Sequence, residues 1–144
     1  MKHITEIRKA VCTIANRLRK EGLSKAAAFA KAWRTVKGIT FRAAGTTFDN
    51  GQNKLRYLGS FPAEDIQIAL QRETGSEYDK NAVAIWAKVK SVNRIARVGY
   101  VPHTVAVRLA AIMDKGIKVT GRFGSVIGGY GSKENYGLLV NVVV

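Results

Sequence analysis

The sequence predicts an α+β chain in which a basic helical hairpin over residues 1–38 precedes a small β-barrel over residues 39–144. Three features of the sequence lead there. Apolar residues up to Gly38 recur every three to four positions, the period of one helix face. From Ile39 onward the apolar runs become short and strand-like, separated by glycines and polar turns. The charge shifts at the same point. Residues 1–37 hold ten Lys/Arg against Glu6 and Glu21, a balance of +8, while the rest of the chain supplies the remaining +6 of a total +14.

In the first helix Ile7, Val11, Ile14 and Leu18 share a face, and Cys12 is placed on that apolar stripe. Gly22 is the expected stop, since glycine accepts the left-handed conformation that follows a helix end. Ser24 is the expected N-cap of the second helix, its hydroxyl accepting a free backbone N–H. Ala26, Phe29, Ala30, Trp33 and Val36 form that helix's apolar face, and Gly38 stops it. Trp33 and Trp86 are expected in the core. Ile39–Phe48 reads as a strand broken at Gly45, and Asp49–Leu58 as either a short helix or a turn. Strands are expected at Ile66–Arg72, Asn81–Lys88 and Ile95–Val101, with a polar loop over Thr74–Lys80. Pro102 suits the first turn of a helix, where its missing N–H costs nothing. That helix, His103–Lys115, carries Val105, Leu109, Ile112 and Met113 on one stripe and ends at Gly116. Ile117–Val126 and Tyr136–Val144 are the last strands, around a glycine-rich hairpin tip at Gly128–Gly131. Short strands, few helices and frequent turns suit a small closed or nearly closed barrel.

A chain of 144 residues buries about two thirds of its unfolded surface, enough for a core without staples. Cys12 has no cysteine partner, which points to a reduced, cytoplasmic (intracellular) protein. No apolar run approaches the ~20 residues of a membrane span, and no signal peptide is expected at the N-terminus. The charge of +14 attracts polyanions, nucleic acid first among them. Neither N-terminal helix carries the long exposed apolar face that would favour an acidic membrane surface. The hairpin cations lie mostly off the apolar stripes. They form either a solvated surface or a backbone-gripping patch of Arg17, Arg19, Lys20, Lys31 and Arg34. A solvated face usually mixes both signs; this one is nearly all positive, which favours the patch.

Enzyme signatures are absent from the sequence. His3, His103 and one cysteine cannot make a usual zinc site. Gly128-Gly129-Tyr130-Gly131 lacks the Gly-Lys-Ser/Thr ending of a phosphate loop, and there is no nucleophile elbow. Only Glu73, Glu77 and Asp79 stand close enough to suggest a carboxylate cluster. A non-enzymatic module without cofactor or metal is expected. Single-strand binding needs π-faces and cations instead. Phe48, Tyr57, Tyr78, Tyr100, Phe123, Tyr130 and Tyr136 are candidate stackers; Arg42, Arg56, Arg72, Lys80, Arg97 and Arg122 are candidate phosphate partners.

Two blocks carry a family resemblance. Arg72-Glu73-Thr74-Gly75-Ser76-Glu77-Tyr78-Asp79-Lys80-Asn81-Ala82-Val83-Ala84-Ile85 resembles the HIRAN signature, in which an Arg-acid pair ends a strand and Tyr-Asp-x-Asn-Ala opens the next. Val98-Gly99-Tyr100-Val101-Pro102-His103 resembles the family's Gly-Tyr-Leu/Val-Pro segment and the helix after it. Ala44-Gly45-Thr46-Thr47-Phe48 and Gln52 are similar to the first strand and turn of bacterial and phage members. The resemblance covers about residues 39–126. It implies an OB-like β-barrel with one or two helices that binds DNA, of the kind attached to fork-remodelling helicases, where it captures the 3′ end of a single strand. It implies that Tyr78 stacks on a terminal base, that Asp79 receives the terminal hydroxyl, that Tyr100 contacts the strand, and that His103 stands where relatives are basic. Thr46 and Thr47 replace the Arg-Tyr pair of members with well-defined end recognition.

Each of these residues has a structural alternative. Asp79 can order its own turn by accepting a backbone N–H two residues on. Asn81 reads as structural, and Tyr78 and Tyr100 can be core-edge tyrosines. The expected function is single-stranded DNA or 3′-end binding in replication, repair or mobile-element biology, with RNA as an alternative ligand. The competing expectation is a phage-encoded protein-interaction module that inhibits a host nucleic-acid enzyme or defence complex through its N-terminal helices.

Overall fold

The computed structural model describes residues 4–47, 50–75, 77, 79–130 and 133–144, the side chains at 129, 130, 133 and 134 excepted. Helix α1 (Ile4–Lys20) buries Ala10, Val11, Ile14, Ala15 and Leu18. It ends as the sequence predicts. Gly22 takes φ 103°, the Leu23 N–H reaches the Leu18 carbonyl at 3.1 Å, and the Gly22 N–H reaches that of Arg19 at 3.0 Å. This paired closure satisfies carbonyls left over at the helix end. Helix α2 (Lys25–Lys37) starts at Ser24, whose Oγ accepts the Ala27 N–H at 3.3 Å.

Two apolar residues of the hairpin depart from expectation. Cys12 is exposed, because the buried face is set by Val11, Ile14, Ala15 and Leu18 and Cys12 falls on its flank. Trp33 is 42% exposed. Helix α2 turns the small residues Ala28 and Ala32, with Thr35 and Val36, toward its neighbours, which allows close helix approach and leaves Trp33 outside. Trp86 is half-buried, and its indole N–H donates to Gln71 Oε1 at 2.8 Å.

Two antiparallel sheets follow. One has the order β1 (Ile39–Arg42), β6 (Lys133–Val143), β5 (Thr120–Tyr130); the other is the meander β2 (Ile66–Arg72), β3 (Val83–Val89), β4 (Arg94–Tyr100). Their edges meet at two seams. At the first, Ala44 continues the line of β1 and bridges Tyr100 on β4 through two backbone hydrogen bonds of 2.7 and 2.8 Å. At the second, β5 lies against β2, and Gly121 makes room there: a Cβ on it would stand 2.9 Å from Ile68 Cγ2. The result is the α+β architecture that the sequence predicts, N-terminal helices before two three-stranded sheets, with the expected barrel not closed by strand pairing between β2 and β5.

Strand limits shift where turn chemistry intervenes. The expected Ile39–Phe48 strand stops at Arg42, with only the Ala44 bridge beyond. The ambiguous segment after it is helix α3 (Gly51–Leu58), which buries Leu55 and Leu58. Strand β5 runs through Gly128 to Tyr130, with a register shift between those two residues, so the glycines belong largely to the strand. The tip at 131 and 132 lies outside the described residues.

Helix α4 (His103–Met113) connects barrel and hairpin. Val105, Ala106, Val107, Leu109, Ala110, Ala111 and Ile112 are all buried, more than one face can supply, and a helix buried nearly all round must be covered on both sides. Strand β3 covers one side and α1 the other. The Arg108 guanidinium ties α4 to α2 by donating to Thr35 Oγ1 at 2.9 Å. Hairpin and barrel residues therefore share one hydrophobic core, and the break at residue 38 is a change of secondary structure inside it. No helix among the described residues is long and apolar enough to cross a membrane.

Candidate nucleic-acid interface

The polar loop between β2 and β3 folds back on itself through Asp79. One carboxylate oxygen, Oδ1, accepts the Asn81 N–H at 2.9 Å, and the Asp79 carbonyl accepts the Ala82 N–H at 3.2 Å. The other oxygen, Oδ2, faces His103 Nδ1 at 3.1 Å. His103 is the first residue of α4, set there by Pro102, whose carbonyl accepts the N–H groups of Val105 and Ala106 at 3.0 and 2.8 Å. Its side chain is 67% exposed, against 25% for Asp79. Burial pushes the Asp79 carboxyl upward, but the Asn81 N–H, His103 and the charge of Arg72 together outweigh it, and the group titrates below its ordinary value. Asp79 is thus an ionised, acceptor-only group at neutral pH.

The strand-end pair beside it is occupied within the fold. Arg72, expected to contact phosphate, forms a two-point ion pair with Asp114 at 3.0 and 3.3 Å and donates to the carbonyls of Glu73 and Ala82 at 2.6 and 3.2 Å. It fastens the end of β2 to the start of β3 and the end of α4. The Glu73 carboxylate accepts the Tyr100 hydroxyl at 3.2 Å and lies 3.8 Å from Arg97 Nη1. The Arg97 guanidinium sits 5.4 Å from the centre of the Tyr100 ring, in the range of a cation–π contact. Tyr100 is half-buried at the seam that its own backbone closes.

Other predicted residues fall in different places. Thr46 is buried at 7% exposure, with its carbonyl accepting from Gln52 Nε2 at 3.2 Å. The same Gln52 amide bonds the Tyr136 peptide in both directions, pinning the loop to β6. Thr47 and Lys80 are exposed. Phe123 is half-buried and lines a separate groove with Ile68 and Trp86, away from Asp79. Phe48 and Tyr78 lie outside the described residues. In the hairpin, Arg19, Lys20, Lys31 and Arg34 are exposed. Arg34 adds its charge to the burial that lowers the Arg108 pKa. Arg17 reaches the interface itself, donating to Asn81 Oδ1 at 3.2 Å.

The two sequence blocks therefore meet: Arg72–Asn81 and Val98–His103 form one corner, which Arg17 joins from α1. The pairings of Arg72 with Asp114 and of Arg17 with Asn81 join residues 42 and 64 positions apart, a separation no local sequence pattern reports. Among the described residues no group of three or more His, Cys, Asp or Glu side chains could hold a metal ion.

The chain matches the HIRAN domain over residues 38–143. It is similar to the crystal structure of the HIRAN domain of human HLTF at 22% identity and a TM-score of 0.45, over 73% of this chain and 72% of that one. It is also similar to a crystal structure from Lactobacillus plantarum at 20% identity and a TM-score of 0.47, over 74% of this chain and 97% of that one. No curated protein matches it.

Proposed function

This chain belongs to the HIRAN domain family, and from that premise we propose that it is a non-catalytic module that takes the 3′ end of single-stranded DNA at the Asp79–His103 corner. Family membership supports nucleic-acid binding. The observation that carries the finer reading is the Asp79 carboxylate, kept ionised by its neighbours and presented beside an exposed imidazole. An acceptor-only group accepts a hydrogen bond from a terminal hydroxyl and repels a terminal phosphate. His103 faces it and Lys80 follows it in the chain, both available for the last phosphodiester, and Thr47 is exposed. Asp79 orders its turn through Oδ1, and the terminal hydroxyl would approach Oδ2, the oxygen that faces His103. The same proposal places the protein in DNA replication, repair or mobile-element biology.

Competition in fluorescence anisotropy at several salt concentrations tests this reading. Single-stranded DNA with a free 3′ end is expected to displace a labelled strand better than single-stranded RNA or a blunt duplex. Affinity should fall with salt by a log–log slope of about 0.7 per phosphate contacted. Equal competition by all three ligands would reduce the site to a general polyanion surface. No binding to any of them would bring a protein partner of the basic hairpin to the front.

A further inference from the structure

Beyond the Asp79 corner, the seam between α1 and the end of α4 holds a groove of about 470 Å³. Lys9, Arg17 and Lys20 line it from α1 and Lys115 from the turn after α4, with Cys12 and Asn16 between them and no carboxylate among the described residues of its walls. Lys9 and Lys115 are shared with a neighbouring hollow that extends to Lys118 and contains Glu6. At the other end, Arg17 bonds Asn81, whose N–H caps Asp79. A row of cations therefore leads into the proposed strand-end corner.

Gathering like charges along one seam costs self-repulsion, which a polyanion relieves. Among the described residues that line it, the groove has no aromatic side chain, the usual anchor of a protein interface, and Trp33 is on α2 instead. Its chemistry suits phosphodiesters. We propose that this groove is a phosphate track: the strand whose 3′ end lies at Asp79 continues along the α1–α4 seam, its backbone paired with Lys9, Lys20 and Lys115. The inference deepens the reading above and rests on it. At 1.5 Å per residue, Lys9 to Lys20 spans about 16 Å of α1, about five stacked nucleotides at 3.4 Å each.

Cys12 supplies a built-in reporter, since it is the one cysteine of the chain, is exposed and lines the groove. Its alkylation by iodoacetamide would be timed in the full-length protein, free and saturated with DNA strands of about four and about twelve nucleotides, within the range of site sizes for folds of this kind. The longer strand should slow alkylation severalfold and the shorter one should leave it unchanged. Lys9→Ala/Lys20→Ala/Lys115→Ala should lower the salt slope for the longer strand by about 2, three contacts at about 0.7 each, and leave the short strand's affinity intact. If both strands bind equally well and Cys12 alkylates at its free rate, the track is wrong while end capture stands. If neither strand binds, both readings fall.

Discussion

A chain beginning at Ile39 is expected to lose its cooperative unfolding transition. The hairpin lies outside the matched family region, yet Val11, Ile14, Leu18 and Val36 belong to the shared core. Each fully buried aliphatic side chain contributes about 1.5–3 kcal/mol. Four of them amount to about 6–12 kcal/mol, comparable with the whole stability of a domain, about 5–15 kcal/mol. Removing them also takes away the α1 packing against α4 and leaves the partly buried Arg108 without Thr35. Thermal melting followed by near-ultraviolet circular dichroism checks this. The truncated chain should show no sharp transition, and a melt within a few degrees of the full chain would make the hairpin a mere appendage.

Gly99→Val should be the most damaging single change at the barrel seam, at about 3 kcal/mol or more. A Cβ at position 99 would lie 2.7 Å from the Ala44 carbonyl oxygen and 3.2 Å from Thr46 Cγ2. Strand β4 cannot retreat, because Gly99 is paired with Ile85 on β3 and Tyr100 is bonded twice to Ala44. The valine therefore prises the seam open and shifts Tyr100 from beneath Arg97. Gly75→Ala is the control, since no described residue lies within 4 Å of a Cβ there, and it should cost no more than about 0.5 kcal/mol. Urea denaturation compares the two. Equal costs would show that the close approach at Gly99 does not hold the seam.

Much of this was legible in local sequence. The helix caps at Gly22 and Ser24, the change of period at Ile39 and the helix after Pro102 all depend on neighbours a few positions apart. So does the pairing of Asp79 with the Asn81 N–H. What sequence could not disclose depends on distant partners. Arg72 has the chemistry of a phosphate ligand, and only the fold brings Asp114 to it. Thr46 looks like an accessible strand residue until Gly51 and Gly99 close over it. Cys12 and Trp33 lie off the buried faces because periodicity alone locates an apolar face only to within one residue position, and the packing of α1 against α2 and α4, and of α2 against α1, decides which flank is covered. The link between Arg17 and Asn81, which ties the hairpin to the interface, joins two segments that each look complete alone.

The most direct test of end capture uses two labelled single strands identical except at the terminus, one ending in a 3′-hydroxyl and the other in a 3′-phosphate. Binding is read by anisotropy with the native protein and with Asp79→Ala. The hydroxyl strand is expected to bind tighter by about tenfold, the scale of a charge-assisted hydrogen bond of about 1.5 kcal/mol, and the preference to disappear in Asp79→Ala. Equal binding of both strands by the native protein would contradict end capture and leave Asp79 as a residue that only shapes its turn.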